Sequence, residues 1–206
     1  MYRLMLVTDR RRAKHPLLEV VRAAAGAGAD AIQLRERDIS DAELFRLAEA
    51  CRAITNEFHA ALLINHRLDV ALAVGADGVH LGWRSLRAED VREVAGDRLR
   101  IGVSCHDEQE LRAAEMAGAD YILLGPVFDT PSKRGLVEPL GLERFATLVR
   151  STKVHVIAIG GVTVERAGPL CSAGAAGVAV VSSVIGADDP AAATAALRRA
   201  IESQPV

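Results

Sequence analysis

The 206-residue chain carries 25 Lys and Arg against 27 Asp and Glu, a formal net charge of -2, with 50% hydrophobic and only 3% aromatic residues. That composition can bury one large core, so a single domain over residues 1–206 is expected, and with no basic excess and few stacking rings nucleic acid is not an expected partner. Cys51, Cys105 and Cys171 are too few and too scattered for a disulfide framework or a thiolate zinc site, and the opening "MYRLMLVTDRRR" is apolar for only one strand length. No membrane span or export signal is expected, and a cytoplasmic location is.

Along the chain, short aliphatic and β-branched runs alternate with longer Ala-, Glu- and Arg-rich segments of helical spacing. The first run, Leu4 to Thr8, precedes a helix beginning near Leu17. The second, Ala31 to Leu34, leads through "QLRER" to a helix near Asp41, opened by the capping sequence "SDAEL". Ala61 to Asn65 ends in "INHR" before a helix near Arg67. Gly78 to Leu81 ends in "HLGWRS" before one near Ser85, and Arg100 to Ser104 ends in "VSCHD" before one near Asp107. Tyr121 to Leu124 runs into "GPVFDTPSKRG" and a helix near Gly141. His155 to Ile159 runs into "IGGVT" and a helix near Thr163, and Gly177 to Val181 into "VVSSV" and a helix near Pro190. Eight such units predict an α/β fold, a single (β/α)8 TIM barrel. The near-copies "AGADAIQL", "VGADGVHL", "AGADYILL" and "AGAAGVAV" precede runs two, four, six and eight. They mark the turn from helix to strand, at the end of the barrel away from its active site, and are scaffold.

The opposite ends of the strands hold the candidate chemistry. Gly160 and Gly161, with Ser182 and Ser183 at the neighbouring strand end, offer backbone and hydroxyl donors suited to a phosphate. Gln33 and Arg35 share one face of their strand while Leu34 takes the other. Glu36 or Asp38 could neutralise Arg35 internally; otherwise Arg35, Arg37 and Lys133 provide more positive charge than one phosphate monoester requires and suit a second anionic group. The loop "DTPSKRGLVEPLG", with Thr130 and Lys133, is long for such a connection and suits a lid.

The ordered set "VTD", "QLRER", "LLINHRLDVALAVGADGVHLG", "IGVSCH", "GADYILLGPVFDTPSK", "VIAIGGVT" and "GVAVVSS" resembles the thiamine-phosphate synthase and thiazole tautomerase family over nearly the whole chain. In the synthase, the resemblance implies, a pyrimidine pyrophosphate ionises with magnesium assistance and is captured by a thiazole phosphate. Gln33, Arg35, Asn65, Ser104 and Lys133 match positions that hold the pyrimidine and its pyrophosphate, with Arg37 where lysine is usual. Thr130, Gly161, Val181 and Ser182 match the segments that bind the thiazole and its phosphate.

The departures lie at the metal. The family's synthases read Asn-Asp-Arg after strand three and Gly-Gln-Glu-Asp after strand four, and those two aspartates bind magnesium. This chain reads Asn65, His66, Arg67 and Gly82, Trp83, Arg84, Ser85. Histidine and serine are poor magnesium ligands and Arg84 adds opposing charge, while Trp83 could narrow the pyrimidine pocket. The expectation is therefore a metal-independent thiazole tautomerase, needing no cofactor and acting on a small phosphorylated thiazole. Thiamine-phosphate synthase, which would require magnesium, is the alternative, and a non-catalytic thiazole-phosphate binder a third. The histidine of the tautomerase "G-H-V-F" segment is replaced by Pro126, which leaves His66 as first choice for acid/base catalyst, with His106 as the substitute. His80 reads as a satisfied barrel histidine and Cys105 as structural. A homo-oligomer is compatible with these features.

Overall fold

A computed structural model describes residues 2–130 and 137–203. In chain order the elements are β1 (Leu4–Val7), α1 (Leu17–Gly26), β2 (Ala31–Leu34), α2 (Asp41–Glu57), β3 (Ala61–Asn65), α3 (Leu68–Ala73), β4 (Gly78–Leu81), α4 (Ala88–Ala95), β5 (Arg100–Cys105), α5 (Glu108–Met116), β6 (Tyr121–Leu124), α6 (Gly141–Arg150), β7 (His155–Ile159), α7 (Val164–Ser172), β8 (Gly177–Val180), α8 (Ser182–Ile185) and α9 (Pro190–Glu202). The strands pair in parallel in sequence order, and β8 closes on β1, giving the expected TIM barrel. β1 and β8 end one residue earlier than the sequence reading has them and β5 one residue later, and two helices differ. A four-residue helix, α8, intervenes after β8. The fourth helix starts at Ala88 rather than near Ser85, because the Ser85 hydroxyl accepts the Gly82 N–H at 2.9 Å and is spent on the turn.

Period-two alternation divides the strand residues between two apolar clusters. One fills the barrel: Met5, Val7, Ala31, Leu63, Tyr121, Leu123, Ile157 and Ala179. The other, including Leu6, Ile32, Leu34, Ile64 and Ile122, packs outward against the helices. Tyr121 occupies so much of the interior that a Cβ at Gly102 would lie 2.0 Å from its ring, so β5 must be bare there.

The repeated turn lies at the opposite end of the strands from the candidate site residues, and the geometry explains its glycine and its aspartate. Its glycines, Gly28, Gly75, Gly118 and Gly174, all have positive φ, which suits a residue without a Cβ. The Asp30 carboxylate accepts the N–H groups of Arg3 and Leu4 at 2.8 Å and pairs with Arg198. Asp77 accepts the Leu62 N–H at 2.7 Å and pairs with Arg52; Asp120 accepts the Ile101 N–H at 2.6 Å and pairs with Arg92. Each aspartate thus caps the start of the preceding strand and ties it to a helix. Ala176, in the fourth copy, keeps only the backbone bond to Val156.

Among the described residues no helix is long and apolar enough to cross a membrane. Cys51 and Cys105 are buried and unpaired, and burial pushes both thiols up to about 12, which fits a packing role for Cys105.

Candidate active site

The carboxyl ends of the strands surround a cavity of about 390 Å³. Its floor is polar because Gln33, Asn65, His80 and Ser104 all fall on the inward phase of their strands. His80 is fully enclosed between the Tyr121 hydroxyl at 3.2 Å and the Ser104 hydroxyl at 2.8 Å. Burial first, then the nearby His66 and Arg35, push its pKa down to about 3, so it is the neutral, satisfied histidine the sequence suggests. Gln33 donates through Nε2 to Asn65 Oδ1 at 3.3 Å. Its own Oε1 is buried with no hydrogen-bond partner among the described residues, on a side chain that lines the cavity.

Arg35 and Arg37 line one side of this cavity. Internal neutralisation by Glu36 or Asp38 does not occur. Glu36 accepts the Thr8 hydroxyl at 2.7 Å and the Arg10 N–H, and Asp38 pairs with Arg10 and Arg11. Among the described residues neither Arg35 nor Arg37 forms an ion pair. Burial lowers the Arg37 pKa, and the like charges of Arg35 and Arg84 lower it further, with Asp9 the weakest influence and the only opposing one. Trp83 does not narrow the pocket: it stands exposed outside the cavity wall with the Arg84 guanidinium 4.4 Å over its ring.

Across the cavity, Gly160, Gly161, Val181, Ser182 and Ser183 come together at the ends of β7 and β8. Gly160 and Gly161 have φ of 98° and 64°, and a Cβ on Gly161 would lie 2.7 Å from the Asp129 carbonyl oxygen. No hydrogen bond within the described residues occupies the N–H groups of Gly161, Ser182 and Ser183. The Ser183 hydroxyl, expected as a ligand donor, is instead used within the fold, donating to the Val162 carbonyl at 2.5 Å. Two cations missed in the sequence stand here. Arg12 donates to Ser182 Oγ at 3.2 Å, and Arg166 lies over Phe128 and donates to the Gly161 carbonyl at 2.7 Å. The "RRR" run after β1 was the available signal for Arg12; nothing local distinguishes Arg166. Thr130 lines the cavity, whereas Lys133 and residues 131–136 of the expected lid lie outside the described residues.

His66 leaves β3 in the left-handed region, with φ 65°, a conformation histidine tolerates better than most residues. Its Nδ1 is hydrogen-bonded to Ser85 Oγ, so the two side chains standing where the resemblance places magnesium-binding aspartates are bonded to each other. Burial, then Arg37 and Arg35, lower the His66 pKa, which keeps the ring neutral at pH 7. A neutral imidazole and a hydroxyl already spent on each other do not form the hard anionic oxygen set magnesium takes. Among the described residues no group of three His, Cys, Asp or Glu could hold a metal ion. The donor set at this position does not fit magnesium. His106 also lines the cavity, but its backbone N–H and Nδ1 both engage Glu110, at 2.7 and 2.9 Å, at the start of α5.

Comparison with known proteins adds to this geometry. The sequence model of the family described as thiamine monophosphate synthase matches residues 4–184. The chain is 42% identical to the thiamine-phosphate synthase of a Roseiflexus species, over 96% of this chain and 84% of that protein. It is 41% identical to the thiamine-phosphate synthase of Moorella thermoacetica, over 96% and 94%. Among solved structures, thiamine phosphate pyrophosphorylase from Pyrococcus furiosus superposes with a TM-score of 0.90 and 38% identity, covering 97% of this chain and 95% of that one.

Proposed function

The chain belongs to the thiamine monophosphate synthase family, and on that premise we propose that it joins a phosphorylated thiazole to an aminopyrimidine pyrophosphate, forming thiamine phosphate. The observation that carries this reading is the cavity-lining Gln33, whose buried Oε1 has no hydrogen-bond partner among the described residues. A buried acceptor without a donor costs about 1–3 kcal/mol, and the exocyclic amino group of an aminopyrimidine supplies the missing N–H. A thiazole alone brings no such donor. Arg35 and Arg37 then face the pyrophosphate, and the N–H groups of Gly161 and Ser182 receive the thiazole phosphate on the opposite wall.

In the reaction, the bond from the pyrimidine methylene carbon to pyrophosphate oxygen breaks, its electron pair leaving with pyrophosphate. The thiazole ring nitrogen donates its lone pair to that carbon, forming the new C–N bond and the thiazolium. The chain's part is to hold the two ligands in line, exclude water, and stabilise the charge growing on the leaving group.

The names of the relatives favour this reading over the tautomerase that the lost carboxylates suggest. One observation keeps the second reading alive: His66 is a neutral imidazole at the cavity wall, protonation-competent chemistry that a proton shift on a carboxylated thiazole phosphate requires. A paired assay separates them. The synthase reading expects thiamine phosphate from the pyrimidine pyrophosphate and the thiazole phosphate. The tautomerase reading expects only aromatisation of the non-aromatic carboxythiazole phosphate, with His66→Ala slower by about 10²- to 10⁴-fold. Absence of thiamine phosphate under all metal conditions rejects the synthase.

A further inference from the structure

The mouth of the barrel carries an excess of positive charge that the fold does not use. Arg35 and Arg37 line the cavity with no ion pair among the described residues, and Arg84 is close enough for its charge to act on Arg37. Two guanidinium groups on one cavity wall repel each other, and burial of Arg37 adds a desolvation cost. Of the nearby acids, Glu36 is committed to Thr8 and Arg10 and Asp38 to Arg10 and Arg11, while Asp9, also in the cavity lining and 3.9 Å from Arg12, is the smallest influence on Arg37. Arg84 lies outside the cavity lining, its guanidinium 4.4 Å over the exposed Trp83 ring. An anion bound beside Arg35 and Arg37 offsets this repulsion, and one of several charges offsets it more than a single charge does.

Beside this cluster, the place between β3 and β4 is closed from within. Ser85 Oγ takes the Gly82 N–H at 2.9 Å and is bonded to His66 Nδ1. Gly82 makes room for that ring: a Cβ there would lie 3.1 Å from His66 Cε1.

We propose that Arg35 and Arg37 hold the pyrophosphate group of the pyrimidine substrate directly, with no divalent ion between β3 and β4, the His66–Ser85 hydrogen bond taking up the donors that would otherwise face one. The substrate part of this statement rests on the synthase reading. Guanidinium groups meet phosphoryl oxygens with two parallel N–H donors and stay protonated, so they neutralise a departing pyrophosphate without a metal.

The test is calorimetric titration of inorganic pyrophosphate into the intact protein, in EDTA and in excess magnesium, beside a thiamine-phosphate formation assay in the same two buffers. Pyrophosphate is expected to bind in EDTA and to bind no tighter with magnesium, and thiamine phosphate is expected to form in both. Arg35→Gln and Arg37→Gln should each weaken pyrophosphate by about 10- to 100-fold. Arg87→Gln, which removes an exposed ion pair with Asp90, should not. Inorganic phosphate binding at the glycine cradle, retained in each variant, reports that it has folded. The double variant His66→Asp with Ser85→Asp should make pyrophosphate binding rise with magnesium. Pyrophosphate binding that requires magnesium, or unchanged binding by both folded arginine variants, overturns the proposal. Thiamine phosphate formed only with magnesium overturns it while leaving the synthase reading intact. Metal-free pyrophosphate binding with no thiamine phosphate in either buffer supports the guanidinium site and overturns the synthase reading.

Discussion

Replacing Gly161 by alanine, with Gly75→Ala as its control, measures what the close approach at the end of β7 contributes. Both glycines have φ near 60°, 64° and 62°, so both variants pay the left-handed backbone penalty, about 1–2 kcal/mol. They differ in surroundings. The added Cβ meets nothing within 4 Å at Gly75, whereas at Gly161 it lies 2.7 Å from the Asp129 carbonyl oxygen and 2.8 Å from Phe128 Cβ. Overpacking of that kind costs about 1–3 kcal/mol more, and the first of these contacts is backbone, which cannot rotate away. At roughly 2–4 °C per kcal/mol for a chain of this size, the melting temperature should fall by about 2–8 °C for Gly75→Ala and about 4–20 °C for Gly161→Ala. The functional contrast is sharper. Displacing the Gly161 N–H removes a charge-assisted hydrogen bond to a phosphate, so inorganic phosphate should bind about 10- to 100-fold more weakly, while Gly75→Ala leaves it unchanged. Thermal denaturation and calorimetric titration of phosphate on the three proteins are sufficient. Equal losses of stability and equal phosphate affinity in the two variants would refute the reasoning.

Two further outcomes follow from groups outside the cradle. His80 is held neutral with its pKa pushed down from 6.5 to about 3, so between those values the unfolded chain binds a proton that the folded chain does not. This contribution to stability is complete above about pH 6.5 and is lost as pH falls toward 3. It amounts to roughly 2 kcal/mol between about pH 7 and pH 5, which urea denaturation at the two pH values would detect and which His80→Gln should abolish. Asp120→Ala should cost about 1–3 kcal/mol, because the Ile101 N–H and Arg92 lose their acceptor at the far end of the barrel, yet phosphate binding should be unchanged. A change in affinity would mean that the repeated turn does more than hold the strands.

Much of this protein is set by local pattern. Strands β2, β3, β4, β6 and β7 begin and end where the aliphatic runs do, because a residue's alternation between barrel and helix layer is written in its neighbours two positions away. The same alternation placed Gln33 and Arg35 on one face, and the resemblance of "GVHLG" to the family motif marked His80 as a satisfied barrel histidine. The glycines of the four repeated turns likewise follow from local backbone need. Other features depend on which residues from distant elements meet, which spacing along the chain does not encode. Sequence allowed Glu36 or Asp38 to neutralise Arg35; three-dimensional packing gave Glu36 to Thr8 and Arg10, and Asp38 to Arg10 and Arg11, leaving Arg35 to the cavity. The family resemblance marked positions 66 and 85 as places where aspartates are replaced, but not that His66 and Ser85 are bonded across 19 residues of chain. Ser183, legible as a phosphate donor, turned inward to Val162, and Arg12 reached Ser182 from 170 residues away. Burial preference and backbone conformation are properties of short segments, so the amino-acid sequence determined the barrel and the strand ends that form its site. Hydrogen-bond and charge partners are chosen by proximity after closure, so only the tertiary structure decided which of the polar groups there remain available to a ligand.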